Sequence, residues 1–225
     1  MEYIYETHMH TSEVSRCAIS SAAQQVVAYK KRGYAGIIVT DHFINGYSTC
    51  PKHLPWEQKM RHIASGYFNA KKAGDKYGLD VFFGWEFTIR GSDFLTYGLG
   101  LDFLLANPDI DRLGVEQYSA LIRKSGGFLA QAHPYRDEYY IEYKYPVEPD
   151  LIDAVEVYNS VDRKWASEKA LAFAMKHNLP EQAGSDSHNA ANKNLAGIAL
   201  QSKANSIHDI IKAIKEKDVT LIHHV

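Results

Sequence analysis

The stretch that decides the fold is YIYETHMH, residues 3–10, in which an apolar and aromatic run changes abruptly into the pair His8-Met9-His10. On an extended strand, residues i and i+2 point to the same face, so both imidazoles can reach one ion while Met9 faces away. A single His-x-His pair often occurs by chance, and its alternative explanation is two satisfied histidines at a strand end. Its meaning therefore depends on the rest of the chain.

Four further apolar runs end in residues of the same kind. They cover residues 35–42, 81–86, 128–133 and 182–188, and they end at Asp41-His42, Glu86, His133 and Asp186-Ser187-His188. If these runs are parallel strands, their last side chains meet at one carboxyl edge of a sheet, where barrel and open α/β enzymes place their active sites. The final run repeats the i, i+2 geometry with a carboxylate and an imidazole, so chance becomes a poor explanation for both pairs.

Segments with helical spacing alternate with these runs, including one at about residues 20–31 and a long one at 56–77. This alternation predicts βα units around a parallel sheet. A chain of 225 residues is long enough to bury a sizeable core. Because no internal repeat, low-complexity tract or linker divides the sequence, we predict a single α/β domain over residues 1–225.

Composition narrows the classes of function. The net charge is −2, from 25 basic and 27 acidic residues, so the sequence carries no strong nucleic-acid signature. Its two cysteines, Cys17 and Cys50, form no CxxC pair and no disulfide framework. With no apolar stretch long enough to span a bilayer and no signal-peptide pattern, the expected protein is a cytoplasmic enzyme without a membrane partner.

The residue types at the strand ends predict a metal centre. A carboxylate at Glu86, directly after an apolar run, is costly unless its charge is compensated, either by a cation or by a buried salt bridge to Arg90. Mixed imidazole and carboxylate ligands without cysteine suit zinc, manganese or iron. Seven candidate ligands predict two or three divalent ions: His8, His10, His42, Glu86, His133, Asp186 and His188. Asp41 is a candidate to orient neighbouring ligands.

Other residues are candidates for substrate contacts. Arg136 follows the His133 run and can offer paired, planar donors to phosphate, although an ordinary surface ion pair is the alternative. Asn159 ends a further strand-like run and is a candidate to touch either the substrate or the surroundings of a ligand. Five aromatic residues are candidates to line the pocket: Tyr47, Trp56, Tyr135, Tyr139 and Tyr140.

Taken together and in this order, the motifs resemble those of the PHP (polymerase and histidinol phosphatase) superfamily, from residue 6 to about residue 200. The motifs are His8-Met9-His10, Thr40-Asp41-His42, Glu86, Ala132-His133-Pro134 and Ser185-Asp186-Ser187-His188. The resemblance implies a distorted seven-stranded, TIM-like β/α barrel with a di- or trinuclear metal site at the carboxyl ends of the strands. It also implies that His8, His10, Glu86 and Asp186 hold one ion. Glu86 would bridge to a second ion that His133 also holds, and His42 and His188 would serve a third.

Two positions depart from the pattern. Many members carry a histidine six residues after the His-x-His pair, where this chain has Arg16, and another in the strand after the glutamate, near Leu95. Glu13, Cys17, Asp93 or water are the candidates to replace these ligands. Arg16 is itself a candidate to direct positive charge toward a substrate phosphate.

The leading hypothesis is a metal-dependent hydrolase of a small phosphate monoester, with a histidinol-phosphatase-like enzyme among the candidates. Metal-activated water would attack phosphorus, Arg136 and the ions would stabilise the phosphoryl oxygens, and His42, His188 or solvent would protonate the leaving group. One alternative is a nucleotidase or nuclease-type phosphodiesterase. Another is a non-catalytic, metal-binding PHP module.

Overall fold

The computed structural model describes residues 2–139, 141–142 and 145–223. Nine strands form one sheet that curls into a nearly closed barrel with helices outside it. The strands are β1 (Tyr3–Met9), β2 (Gly36–Val39), β3 (Asp80–Ile89), β4 (Ser92–Tyr97), β5 (Phe128–Gln131), β6 (Ala154–Asn159), β7 (Glu181–Gly184), β8 (Ala196–Leu200) and β9 (Thr220–His223). The helices are α1 (Ala22–Lys31), α2 (Trp56–Ile63), α3 (Ser65–Tyr77), α4 (Leu101–Ala106), α5 (Val115–Lys124), α6 (Lys164–Lys176) and α7 (Ile207–Lys215). Within these described ranges, no helix combines the length and apolar character needed to cross a bilayer.

The barrel closes where β1 meets the end of β7. The order of strands is β7-β6-β5-β4-β3-β2-β1-β8-β9, so β7 and β1 are not neighbours in the ladder. However, Met9 at the end of β1 and Ser187, three residues after β7, form a parallel bridge, and the His10 amide donates to the Ser187 carbonyl at 2.9 Å. This contact brings the two-histidine motif of β1 beside the Asp-Ser-His motif that follows β7.

The prediction of seven parallel strands is wrong in two respects. Nine strands are present, and β4, β8 and β9 run antiparallel to the strands they pair with. The sequence prediction ended β3 at Glu86, whereas β3 continues to Ile89 and returns as β4 through a two-residue turn. Arg90 and Gly91 form this turn with φ of 50° and 81°, as a type I′ hairpin requires. Arg-Gly is a weaker hairpin signal than Asn-Gly, which explains why the turn was missed.

The predicted long helix at 56–77 is divided in two at Ala64. The second part, α3, approaches the carboxyl edge of the barrel closely at Gly66. A Cβ at Gly66 would collide with the Asp41 carboxylate and the Thr11 hydroxyl. Glycine is therefore required there by the close packing of a helix against the edge that carries the candidate ligands.

Side-chain alternation along β3 places one carboxylate inside the barrel. Trp85 and Phe87 belong to the largest apolar cluster, and Phe87 stacks on Tyr118 of α5 with ring centroids 3.8 Å apart. Because successive strand residues face opposite sides, Glu86 between them points away from this cluster. Burial of the flanking aromatic rings therefore fixes the direction of the Glu86 side chain.

Glu6 ties β1 to α1 and to the segment after β7. Its carboxylate accepts hydrogen bonds from the His8 amide at 2.8 Å, the Ser185 amide at 2.9 Å and the Tyr29 hydroxyl at 2.7 Å, and it also contacts the Ser185 hydroxyl. Burial raises the pKa of Glu6 to about 7. This side chain joins three elements that the sequence separates widely.

Replacing Glu6 by alanine is expected to lower the free energy of unfolding by about 2–5 kcal/mol, because several buried donors lose their acceptor at about 1–3 kcal/mol each. Tyr29→Phe removes a single donor and keeps the acceptor, so its expected cost is about 1 kcal/mol. Urea denaturation of the metal-free protein followed by tryptophan fluorescence measures both. Equal effects of the two substitutions would contradict this role of Glu6.

Candidate metal centre

The structure brings all seven predicted ligand residues together at the carboxyl edge of the barrel. Four groups, each with ligand atoms within 4.8 Å of one another, occur among the described residues: His8, His10 and Glu86; His8, His133 and Asp186; Glu86, Asp93 and His133; and His10, His42 and His188. The groups share members, so they form one continuous cluster. Residues in or shortly after six strands, β1, β2, β3, β4, β5 and β7, contribute to it.

Glu86 lies at the centre of this cluster. Its Oε1 atom is 3.2 Å from His8 Nε2 and 3.3 Å from His133 Nε2, and its Oε2 atom is 2.7 Å from His42 Nδ1. Burial alone would raise the pKa of Glu86, but His42 and His8 hold it well below its ordinary value. The sequence left open a salt bridge between Glu86 and Arg90. In the structure, imidazole rings surround this carboxylate instead.

Hydrogen bonds fix the tautomers of the first two histidines. His8 Nδ1 lies 3.0 Å from Glu156 Oε1, and a carboxylate only accepts, so Nδ1 carries the proton. His10 Nδ1 lies 3.0 Å from the Ser15 hydroxyl, which itself donates to Asp41 at 2.7 Å, so Nδ1 again donates. Both Nε2 atoms are thereby left as acceptors, and they face each other at 3.2 Å.

Two facing acceptors in a closed site require a positive charge between them. A proton can supply it, since Asp186, Glu156 and Glu86 raise the pKa of His8 well above its ordinary value despite burial. Burial, together with His188 and His42, lowers the pKa of His10 to about 3. A metal cation satisfies both nitrogens at once and needs no proton on either.

The spacing of the ligand atoms fits a metal ion. Two ligands of one zinc ion, each about 2.0–2.1 Å away, lie roughly 2.9–3.4 Å apart at tetrahedral or right angles. His8 Nε2 to Glu86 Oε1 and His10 Nε2 to Asp186 Oδ1 are both 3.2 Å. His42 Nδ1 and Glu86 Oε2 are buried 2.7 Å apart, yet neither makes a well-directed hydrogen bond. Such atoms are directed at a common point, as ligands of one cation would be.

Two further residues lie beside the cluster, near the two positions where this chain lacks a histidine that many superfamily members carry. Asp93 of β4 lies beside His133, with Oδ2 3.8 Å from Nε2, whereas Leu95 is buried in an apolar cluster. Cys17 lines the same cavity as His42 and His188, which lower the pKa of its thiol to about 7 against the effect of burial. Glu13, in contrast, accepts from the Ala22 amide at 3.0 Å and caps α1.

Arg16 is exposed, and its Nε donates to the Ser48 carbonyl at 2.6 Å. It does not line the cavity over the cluster. A local backbone contact holds the guanidinium away from the cavity, and the role of Arg16 in substrate binding stays a prediction.

Glu156 of β6 was missed from the sequence and supports two ligands. Besides His8, it accepts from the His133 amide at 3.0 Å and from Asn159 Nδ2 at 2.9 Å. Asn159 is buried, and its own Oδ1 accepts from the Val161 amide, so it holds Glu156 and does not reach the cavity. Of its two predicted roles, this position fits support of a ligand's surroundings, and the role as a substrate contact stays a prediction. The sequence signal that could have revealed Glu156 is its position inside the apolar run AVEVYN, residues 154–159.

Arg136 forms a wall of the site. Its Nε donates to Asp162 and its Nη1 to Asp186, both at 2.8 Å, whereas Nη2 is buried without a hydrogen-bond partner. Despite burial, Asp186 and Asp162 raise the pKa of Arg136, so it stays charged. The alternative of an ordinary surface ion pair does not describe a side chain that is only 18% exposed.

A cavity of 730 Å³ opens over the cluster and is lined by His42, Glu86, Arg136, Asp186 and His188 among others. Tyr47 and Tyr139 also line it and are 61% and 95% exposed. Tyr135 lines a neighbouring cavity of 260 Å³ that shares Arg136. Trp56 packs against Phe43 and donates to the Leu104 carbonyl, and Tyr140 lies outside the described residues.

Comparisons with known proteins agree with this geometry. The family model described as PHP-associated matches residues 164–219, and no curated protein sequence matches. A two-domain protein from Bacteroides vulgatus, containing a predicted PHP-like metal-dependent phosphoesterase, shares the fold with a TM-score of 0.77 and 15% identity. The match covers 100% of this chain but only 65% of that one. The resemblance to the PHP superfamily is confirmed.

Two other solved structures with this PHP fold are endonucleases. The lesion-specific endonuclease Q from Pyrococcus furiosus has a TM-score of 0.58 at 14% identity, covering 98% of this chain and 58% of that one. An endonuclease Q complex with a 27-mer duplex carrying an abasic lesion at the active site has a TM-score of 0.59 at 15% identity, covering 96% and 57%. The prediction that nucleic acid is disfavoured is therefore wrong, because net charge does not exclude it for this fold.

Glu156→Gln is expected to weaken metal binding by about 10–100-fold, the usual cost of losing a partner behind a metal-ligating histidine. All three groups that contact Glu156 are hydrogen-bond donors. The side-chain nitrogen of glutamine, itself a donor, would therefore face one of them. Competition with a coloured chelator measures the affinity. Glu181→Gln, on the adjacent strand and away from the cluster, is the matched control. Equal affinity of the two variants would contradict the role assigned to Glu156.

Proposed function

We propose that the chain is a metal-dependent phosphoesterase that hydrolyses a small phosphate monoester, with residues 1–225 acting as one domain. The observation that carries the proposal is the combination of inward-directed imidazoles and carboxylates with a charged guanidinium, braced by two aspartates, in the wall of the same cavity. The first group fits cations, and the second fits an anion. A phosphate ester bound between them meets both.

Two or three divalent ions, of zinc, manganese or iron, fit the residues present. His8, His10, Glu86 and Asp186 would hold the first, and Glu86, Asp93 and His133 the second. When bound, such ions supply hydroxide near neutral pH and neutralise charge on phosphoryl oxygens. Glu156 and Ser15 orient the two rings and hold the proton of each neutral imidazole on Nδ1, so that Nε2 is the nitrogen directed at the ion site.

Arg136 is placed to bind a phosphoryl oxygen. Asp162 and Asp186 fix the plane of the guanidinium through Nε and Nη1, so the charged group is held rigidly in the wall of the cavity. Donors already in position stabilise developing charge without reorganisation during the reaction. His42 and His188 line the cavity and can return a proton to the leaving oxygen; if both ligate ions, solvent does so.

The volume of the cavity supports a small substrate. Sites for small molecules commonly measure about 300–1,000 Å³, and 730 Å³ falls within that range. A phosphomonoester of a small alcohol or nucleoside fits such a space.

A panel of phosphate monoesters, assayed with added manganese or zinc, tests the proposed activity. We expect hydrolysis by the purified chain, and we expect His10→Ala and Asp186→Ala to lose both a bound ion, measured by elemental analysis, and turnover. A protein that retains ions but hydrolyses no phosphate ester would instead be a metal-binding module. Unchanged turnover in either variant would refute the proposed centre.

Arg136→Ala is expected to lower kcat/KM by about 100–1,000-fold, the usual effect of removing one preorganised donor at a developing oxyanion. Arg136→Lys should recover only part of this loss, since a lysine keeps the charge but not the planar fork. The control is Arg123→Ala, which removes a guanidinium of α5 that pairs with Asp153. Steady-state kinetics on the best monoester measure all three. A value for Arg136→Ala equal to the control would exclude a role in catalysis.

A phosphodiester substrate is the second candidate. It is favoured by the two endonuclease Q structures with this fold and by Tyr47 and Tyr139, whose exposed rings line the cavity. Nucleobases stack on such rings without regard to sequence. Including an abasic duplex and a dinucleotide in the same panel separates the candidates, because a monoesterase leaves both intact.

A further inference from the structure

Thr88 and Asp93 face each other across the hairpin formed by β3 and β4. They are a directly opposed pair in the ladder, so their side chains lie on the same face of the sheet. The Thr88 hydroxyl donates to Asp93 Oδ1 at 2.6 Å, and both residues line the cavity over the metal cluster. A cross-strand neighbour therefore holds one of the two oxygens of a candidate ligand.

The other oxygen of Asp93 lies beside the cluster. Oδ2 is 3.8 Å from His133 Nε2, and that nitrogen is 3.3 Å from Glu86 Oε1. These three residues form one of the ligand groups, and the Asp93 side chain is only 13% exposed. Because Oδ1 accepts from Thr88, Oδ2 is the oxygen left to bind an ion.

The orientation of this carboxylate depends on a partner. The last torsion of an aspartate side chain is soft and roughly two-fold, so the backbone alone does not decide which oxygen faces the cluster. A hydroxyl in a fixed position selects one of the two orientations. The short contact between Thr88 and Asp93 supplies that selection.

The loop that follows β2 holds Thr88 in place. Asn45 Nδ2 donates to the Thr88 carbonyl at 2.7 Å, and Asn45 Oδ1 lies 3.5 Å from the Thr88 amide. This side chain thus continues the pairing of the loop with β3 beyond the bridge between His42 and Glu86. A Cβ at Gly46 would lie 2.7 Å from Thr88 Oγ1. The loop therefore packs closely against the hydroxyl and restricts its movement.

We propose that Thr88 is a positioning residue for the second ion, whose hydroxyl turns Asp93 so that Oδ2 faces the ion. There Oδ2 completes a ligand set with Glu86 and His133. Thr88 does not bind the ion itself but acts through Asp93. The inference rests on the metal centre that the proposed function uses.

Titration of the metal-free protein with zinc or manganese, in competition with a coloured chelator, tests the proposal. Asp93→Ala identifies the binding step of the second ion, because that step should be lost. Thr88→Val keeps the shape of the side chain but removes its donor, and we expect it to weaken the same step by about 10–100-fold. Thr88→Ser keeps the hydroxyl and should bind both ions as the wild type does. The control is Thr49→Val, which removes a hydroxyl that donates to the Glu13 carbonyl.

The first ion provides the check on folding. Glu156 and Ser15 hold two of its ligands, His8 and His10, so its binding step should keep the wild-type affinity in Thr88→Val. Four results would overturn the proposal: a wild type that binds a single ion, a second step that survives in Asp93→Ala, equal affinities of Thr88→Val and the wild type, or equal weakening of both steps. Binding by Thr88→Ser as weak as that by Thr88→Val would also overturn it.

Ion binding is measured without turnover, so the outcome is separate from that of the proposed function. Selective loss of the second ion in Thr88→Val, in a protein that hydrolyses no phosphate ester, would uphold the positioning role and refute the proposed function. Hydrolysis by a protein whose Thr88→Val variant binds both ions normally would do the reverse. A raised KM in that variant would then place Thr88 against the substrate.

Discussion

The structure depends on one buried carboxylate, Glu86, that faces several imidazoles at once. A charge inside a barrel is costly, and the nitrogen of His8 that faces this carboxylate carries no proton when the ring is neutral. Only positive charge within the cluster resolves this arrangement. The strand alternation that buries Trp85 and Phe87 forces Glu86 inward, so packing of the core and assembly of the site are parts of one constraint.

Around this centre, a layer of buried polar groups fixes each ligand. Glu156 holds His8 and the His133 backbone, and Asp41 acts on His10 through Ser15. His133 and Asp186 have φ of 28° and 50°, in the left-handed region that costs a non-glycine residue about 1–3 kcal/mol. The hydrogen bond from the His133 amide to Glu156 offsets this strain at His133, and the ion pair with Arg136 holds the Asp186 carboxylate at the cavity.

The barrel is shared with proteins of different action, and this explains why the fold leaves the substrate open. Relatives by fold include a two-domain protein with a predicted phosphoesterase and endonucleases that act on damaged DNA. The features of this chain that bear on its substrate are side chains at the rim: Asp93 and Cys17 beside the cluster, and Arg136 braced by two aspartates. Function resides in such sites and not in the barrel itself.

The sequence by itself determined which strand ends carry ligand chemistry, because the pattern of an apolar run followed by His, Asp or Glu is local and repeats five times. It also determined the α/β class and the resemblance to the superfamily. Only the tertiary structure decided the nine-stranded order, the antiparallel return of β4, the support of His8 by Glu156, and the choice of Asp93 and Cys17 over Glu13 as neighbours of the cluster. Those outcomes depend on contacts between residues far apart in the chain, and the local pattern of a sequence does not encode which distant segments will meet.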